Sequence, residues 1–223
     1  FLGRTPPDLD FTTDARPDEI ERVVAGWADA SWDIGREFGT IGLRKGDHTV
    51  EITTYRADTY DRASRKPDVL FGDSLAGDLG RRDFTVNAMA IRLPSLEFVD
   101  LHGGLDDLAR RRLRTPAPAV ESFADDPLRM MRAARFAAQL GFTVSAEVYA
   151  AMLERAPTLE MISAERIRDE FTKLLLSAYP GGPRAGLGLL VDTGLTGHFL
   201  PELPALRLEA DEHHRHKDVY EHS

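Results

Sequence analysis

The sequence predicts an α/β part followed by an all-α part, and three observations carry that prediction. Residues Asp8 to Thr13 alternate polar and apolar with a period of two, as a half-buried strand does. Val50 to Tyr55 repeats the alternation some forty residues later. From about Pro116 the apolar spacing changes to 3.6, the period of helices with one buried face.

In chain order, the first strand is followed by Pro17, a residue suited to the first turn of a helix. Ile20, Val23, Val24 and Trp27 then follow the i, i+3, i+4, i+7 pattern of an amphipathic helix. Gly35, Gly39 and Gly42 lead into a hairpin, Thr40 to Arg44 and His48 to Tyr55, turned at Lys45-Gly46-Asp47. Arg56 to Gly80 is polar with little periodicity and is expected to be a long loop. Val86 to Leu93 and Leu96 to Leu101 form a further strand pair around Pro94-Ser95, before a turn at His102-Gly103-Gly104. Pro116-Ala117-Pro118 is the expected linker. Beyond it, Asp125 or Asp126 caps a helix from about Pro127 to Leu140, which Gly141 closes. Ser145 caps the next, and Ser163 another whose buried stripe is Ile167, Phe171, Leu174 and Leu175.

The 223 residues, 42% of them hydrophobic, can bury a sizeable core in two domains. No apolar run approaches the roughly 18–20 residues that span a bilayer, and no basic-then-apolar leader opens the chain. A soluble, cytoplasmic protein without a membrane partner is expected. The lack of cysteine excludes disulfides and thiolate zinc sites. A net charge of -9 argues against bulk basicity as a means of holding nucleic acid. One local exception runs from Ala109 to Arg135, with seven arginines against three acids. That segment is either a basic contact surface or a solvated face. The opening at Phe1 and the polar end at Ser223 suggest a piece of something longer.

In a strand, alternate residues share a face, so Asp8 and Asp10 lie together with Leu9 and Phe11 opposite. If the strand carrying Glu51 is a neighbour, three carboxylates converge on one polar edge, a donor set for hard divalent cations. Asp-x-Asp also occurs by chance on exposed edge strands. Arg81 and Arg82 offer forked donors for phosphate, and Asp83 and Asn87 acceptors and donors for sugar hydroxyls. The alternative there is a solvated turn. Asp126 and Arg129 can match the Watson–Crick edge of a base, with Arg132 three residues on, or Asp126 can simply cap its helix. The residues alone leave both readings open. His213, His214, His216 and His222 form a polar tract to which no metal is assigned.

Four segments in order resemble the bacterial class II tRNA nucleotidyltransferase and poly(A) polymerase family. They are Asp8-Leu9-Asp10-Phe11-Thr12-Thr13, Glu51-Ile52-Thr53-Thr54-Tyr55-Arg56, Arg81-Arg82-Asp83-Phe84-Thr85-Val86-Asn87-Ala88-Met89-Ala90, and the run from Asp125 to Phe136. Ser163-Ala164-Glu165-Arg166 matches a fifth. The resemblance implies a polymerase-β-like α/β head of mixed sheet with helices over residues 1–115, an all-α neck over 116–178 and the start of a helical body over 179–223. It implies Asp8 and Asp10 as ligands of Mg2+, and Glu51 as a third catalytic carboxylate near the primer 3′-hydroxyl. Arg4, Arg82, Asp83, Asn87, Asp126, Arg129, Arg132 and Arg135 would bind the nucleotide, Asp126 and Arg129 reading the base of CTP or ATP. The implied reaction adds CCA to the tRNA 3′ end without a template and releases pyrophosphate.

The Gly-Gly-x-Val-Arg-Asp segment that usually opens this family falls before the position matching Gly3-Arg4. Where the family commonly has Glu before the base-reading Asp, this chain has Asp125. The His213 to His222 tract resembles the approach to an HD phosphohydrolase region. Alternatives to CCA addition are poly(A) or A-only addition at the same site, an inactive RNA-binding relative, and a small-molecule nucleotidyltransferase. Oligomeric state is not legible.

Overall fold

A computed structural model of the chain describes residue 3 and residues 8–33, 35–58, 69–72 and 74–206. Its contacts divide it into two compact units, with the division between Arg81 and Arg82.

In the first unit, β1 (Asp8–Thr13), β2 (Ala30–Trp32), β3 (Thr40–Lys45) and β4 (His48–Thr54) form one sheet in the order β1-β4-β3-β2. The β1·β4 pair is parallel and the others antiparallel, so the sheet is mixed. Helix α1 (Pro17–Val24) starts where the Arg16 N–H donates to the Glu19 carboxylate at 2.9 Å. It covers one sheet face, and Ile20, Ile41, Leu43 and Val50 close a small core there.

Trp27 lies beyond the end of α1, and Val23 is 81% exposed. The expected four-residue stripe is therefore reduced to Ile20 and Val24. This eight-residue helix packs mainly on β3 and β4, and Leu9 and Phe11 on the edge strand stay about 40% exposed.

The expected long loop after Tyr55 is more ordered than predicted. It holds β5 (Arg56–Asp58), antiparallel to β6 (Val69–Phe71), and helix α2 (Leu75–Gly80), capped by the Ser74 hydroxyl accepting from the Gly77 N–H. The fully buried Asp78 explains the order. Its carboxylate accepts from Thr12 Oγ1 at 3.3 Å, the Arg56 N–H at 3.4 Å and Arg81 Nη2 at 2.7 Å, tying three segments together.

The second unit opens with a helical turn at Thr85–Asn87 and the antiparallel pair β7 (Met89–Arg92) and β8 (Glu97–Asp100). Helix α3 (Gly104–Ala109) follows, its first N–H groups held by Asp100 at 2.7 and 2.9 Å. Strand β9 (Arg112–Leu113) pairs in parallel with β10 (Thr143–Val144). The helices are α4 (Ala119–Asp125), α5 (Leu128–Leu140), α6 (Ala146–Arg155), α7 (Ala164–Leu175), α8 (Gly182–Asp192) and the short α9 (Glu202–Ala205).

Helix α5 is central: Met130, Met131, Ala133, Ala134 and Ala138 are buried, and α7 and α8 both pack on it. The approach of α8 depends on Gly182, where a Cβ would stand 2.1 Å from the Ala138 carbonyl oxygen. Gly141 ends α5 in the left-handed conformation, as expected. Ser145 caps α6 through the Val148 N–H at 3.2 Å, whereas Ser163 precedes α7 without a side-chain cap bond. On α7, Leu175 is 45% exposed, and the buried stripe takes in Glu170 instead. Pro116-Ala117-Pro118, read as a linker, lies inside this second unit, where Thr115 Oγ1 donates to the Ala117 carbonyl at 2.6 Å.

Candidate active site

In the first unit the strand register does the assembling. Asp10 stands opposite Glu51 across β1·β4, and Asp8, two residues back, shares their face. All three carboxylates are exposed, and none carries a hydrogen bond or ion pair among the described residues. The other face presents Val50 and Ile41 to the core. The sheet thus separates a charged face from an apolar one, as the alternation predicts.

Oxygen-only donors of this kind suit a hard divalent cation. Among the described residues no group of three or more acidic, His or Cys side chains is gathered closely enough to form a metal cage. Asp8, Asp10 and Glu51 therefore share a face, but the expected convergence of all three into one cluster is not found among the described residues.

The second unit carries the remaining candidates. Asp83, 9% exposed, accepts from the Phe84 N–H at 2.7 Å and from Asn87 Nδ2 at 3.1 Å on Oδ1. Its Oδ2 takes Nε and Nη2 of Arg132 at 2.8 and 2.5 Å. Arg82 Nη1 donates to the Asn87 carbonyl at 3.1 Å. Arg82, Asp83, Asn87 and Arg132 therefore form one network joining the turn at residues 85–87 to α5.

Asp126 sits just before α5. Oδ1 accepts from the Leu128 N–H at 3.1 Å, so it does cap the helix, and Oδ2 accepts from Arg166 Nη2 at 3.1 Å. Arg129 donates to the Ser122 hydroxyl at 2.8 Å and to the Ser122 carbonyl at 3.3 Å. Arg135 is committed elsewhere in the unit: its Nε meets Glu170 at 2.5 Å and Nη1 meets Gln139 at 2.9 Å. Both Arg132 and Arg135 face the ring of Phe136, at 5.5 and 4.1 Å from its centroid. Arg4 and the His213 to His222 tract lie outside the described residues.

The arginine-rich segment resolves largely into internal pairs. Arg110 meets Asp106 at 3.2 Å. Arg112 and Arg114 both meet the fully buried Asp107, at 2.6 and 2.8 Å. Burial alone would push the Asp107 carboxyl up, but hydrogen bonds from Arg114, Thr85 and Arg112 outweigh it and hold the group below the usual carboxylate range. Sequence reasoning missed Asp78, Asp107 and Glu170, because nothing in the spacing distinguishes a buried structural acid from a solvated one.

A mixed sheet with aligned exposed carboxylates, ahead of a helical unit, defines the nucleotidyltransferase-head class of fold. Residues 1–114 match the model of the poly A polymerase head domain, and the chain belongs to that family. Residues 141–206 match the probable RNA and SrmB-binding site of polymerase A. The chain is 40% identical over 212 residues to a CCA-adding enzyme of Streptococcus sanguinis, covering 95% of this chain and 51% of the relative. It is 42% identical over 208 residues to one of Lactococcus lactis, covering 91% and 50%. Among solved structures, the Bacillus stearothermophilus CCA-adding enzyme in complex with CTP superposes with a TM-score of 0.77 at 36% identity, covering 88% of this chain and 46% of that one. The Thermotoga maritima CCA-adding enzyme complexed with tRNA gives 0.71 at 26% identity, covering 91% and 46%. The chain spans about half the length of the curated relatives it matches. Among the described residues no helix is long and apolar enough to cross a membrane.

Proposed function

We propose that this chain carries the catalytic and nucleotide-reading part of a cytoplasmic, template-independent RNA nucleotidyltransferase, which adds CMP and AMP from CTP and ATP to the tRNA 3′ end as CCA. The observation that carries the reading is the register of Asp10 on Glu51 with Asp8 on the same exposed face. The CCA-adding names of its relatives supply the substrate.

In this reading residues 1–115 are the head, 116–178 the neck and 179–223 the start of the body. The RNA 3′-hydroxyl attacks the α-phosphate of the incoming nucleotide in line, and pyrophosphate leaves. Asp8 and Asp10 would hold Mg2+, which when bound neutralises charge on the transferring phosphate and templates the reacting oxygens. Glu51 orients the attacking hydroxyl. Arg82 and Asp83 hold triphosphate and ribose, Arg132 and Asn87 fixing Asp83 in place. Asp126 and Arg129 read the base, each anchored on one side by the helix start or by Ser122. Arg135, paired with Glu170, acts by holding α5 against α7.

The test is Asp10→Asn and Glu51→Gln in the protein expressed from its complete gene. Both should lose nucleotide incorporation by at least a thousandfold while still binding CTP. Incorporation within tenfold of the parent in both would overturn the assignment.

A further inference from the structure

The carboxylate face of the first unit's sheet carries one more row of consequence. Trp32 on β2 pairs with Gly42 on β3, Gly42 with Glu51 on β4, and Glu51 with Asp10 on β1. Paired residues on neighbouring strands project to the same face, so the four positions form a line across the sheet. The second position has no side chain, and the indole fills the space. A Cβ at Gly42 would stand 2.0 Å from Nε1 and 2.2 Å from Cε2 of Trp32. The indole therefore lies over β3, on the way to Glu51.

A cleft of about 440 Å3 opens there, walled by Trp32, Phe38, Thr40, Gly42, Glu51 and Arg56. Its size falls within the range of small-ligand sites. Trp32 is 36% and Phe38 44% exposed, although the core lies on the opposite face of the sheet. Arg56 sits 6.0 Å from the centre of the Phe38 ring and donates from Nη2 to Thr40 Oγ1 at 3.3 Å.

We propose that this cleft seats the terminal nucleoside of the RNA acceptor, with Trp32 as the stacking platform that brings the 3′-hydroxyl to Glu51. The proposal rests on the nucleotidyl-transfer reading above and names where that reaction's acceptor sits. Aromatic faces stack on any base, and a growing 3′ end presents different bases in turn. One arginine matches the phosphate one step back along the strand. Glu51 accepts a hydrogen bond from a hydroxyl but repels an anion, so the neutral end of a strand fits beside it and the triphosphate of an incoming nucleotide does not.

Two readouts test this on the protein expressed from its complete gene. In kinetics, Trp32→Ala should raise KM for a tRNA acceptor on the order of tenfold, the usual cost of losing one base stack. KM for CTP should stay within twofold, and Trp32→Phe should restore most of the loss. In binding, the emission of Trp32 is read as the difference between the parent protein and Trp32→Phe. A short RNA ending in CC should quench that emission, and the same RNA with an abasic 3′-terminal residue should quench it much less. Incorporation by the parent protein with neither effect would overturn the cleft assignment and leave the transfer reading intact. Quenching by RNA without incorporation would sink the transfer reading and keep the cleft. A rise in KM for CTP instead of RNA would give the cleft to the nucleotide and refute the proposal.

Discussion

Replacing Asp107 with Asn tests whether a single buried acid organises the start of the second unit. The side chain is fully buried and accepts from Thr85 Oγ1 at 2.7 Å, from Arg112 Nε and Nη2 at 2.8 and 2.6 Å, and from Arg114 Nε at 2.8 Å. Removing one partner of a buried pair costs about 3–5 kcal/mol. Here the two arginine side chains are 32% and 37% exposed and regain water, which lowers the expected loss to about 2–3 kcal/mol. At about 2–4 °C per kcal/mol for a chain of this size, Tm should fall by about 4–12 °C. Far-UV circular dichroism reads the helical second unit.

Because the carboxyl is held below its ordinary value in the folded state, its stabilisation is complete well above the unfolded pKa of about 3.9 and is lost as pH falls towards the folded one. The gap between parent and variant should therefore be full at pH 7 and narrower at pH 3. A change under about 1 °C at pH 7, or a gap at pH 3 as wide as at pH 7, would refute the reasoning.

Two further sets of substitutions bear on α5 and its partners. Glu170→Gln should destabilise the second unit by about 2–4 kcal/mol in thermal or urea unfolding, since Glu170 and Arg135 are only 6% and 12% exposed. Arg135→Met combined with Glu170→Leu should recover most of that loss, and a double variant no more stable than Glu170→Gln would contradict a simple buried pair. Asp126→Ala or Arg129→Ala should relax discrimination between CTP and ATP on the order of ten- to a hundredfold, as for other forked base contacts, while magnesium dependence barely moves. Unchanged selectivity in both would defeat the base-reading role.

The alternation at Asp8–Thr13 and Val50–Tyr55 was enough to place three carboxylates on one face, because a period of two fixes the face once the strands pair. The hairpin at Gly46-Asp47 and the ends of α5 were legible for the same kind of reason: turn glycines and caps act locally. What stayed illegible was set by distant partners. The order after Tyr55 depends on Asp78 reaching Thr12, and Arg135 is paired only when Glu170 arrives from another helix; Asp107 is near Arg112 and Arg114 in sequence, but spacing does not report its burial, so the arginine-rich segment stayed open between a basic surface and a solvated face. Trp32 escaped notice because its meaning lies in a glycine on the next strand, a relation that sequence spacing does not carry.

The most direct test of the central claim is to supply the protein expressed from its complete gene with Mg2+ and tRNA transcripts lacking the terminal CCA, and to resolve products at single-nucleotide length. The reading predicts two C residues with CTP alone, then one A and a stop when ATP is added. A long A tail, A addition only to ends already carrying CC, or no incorporation at all would contradict it.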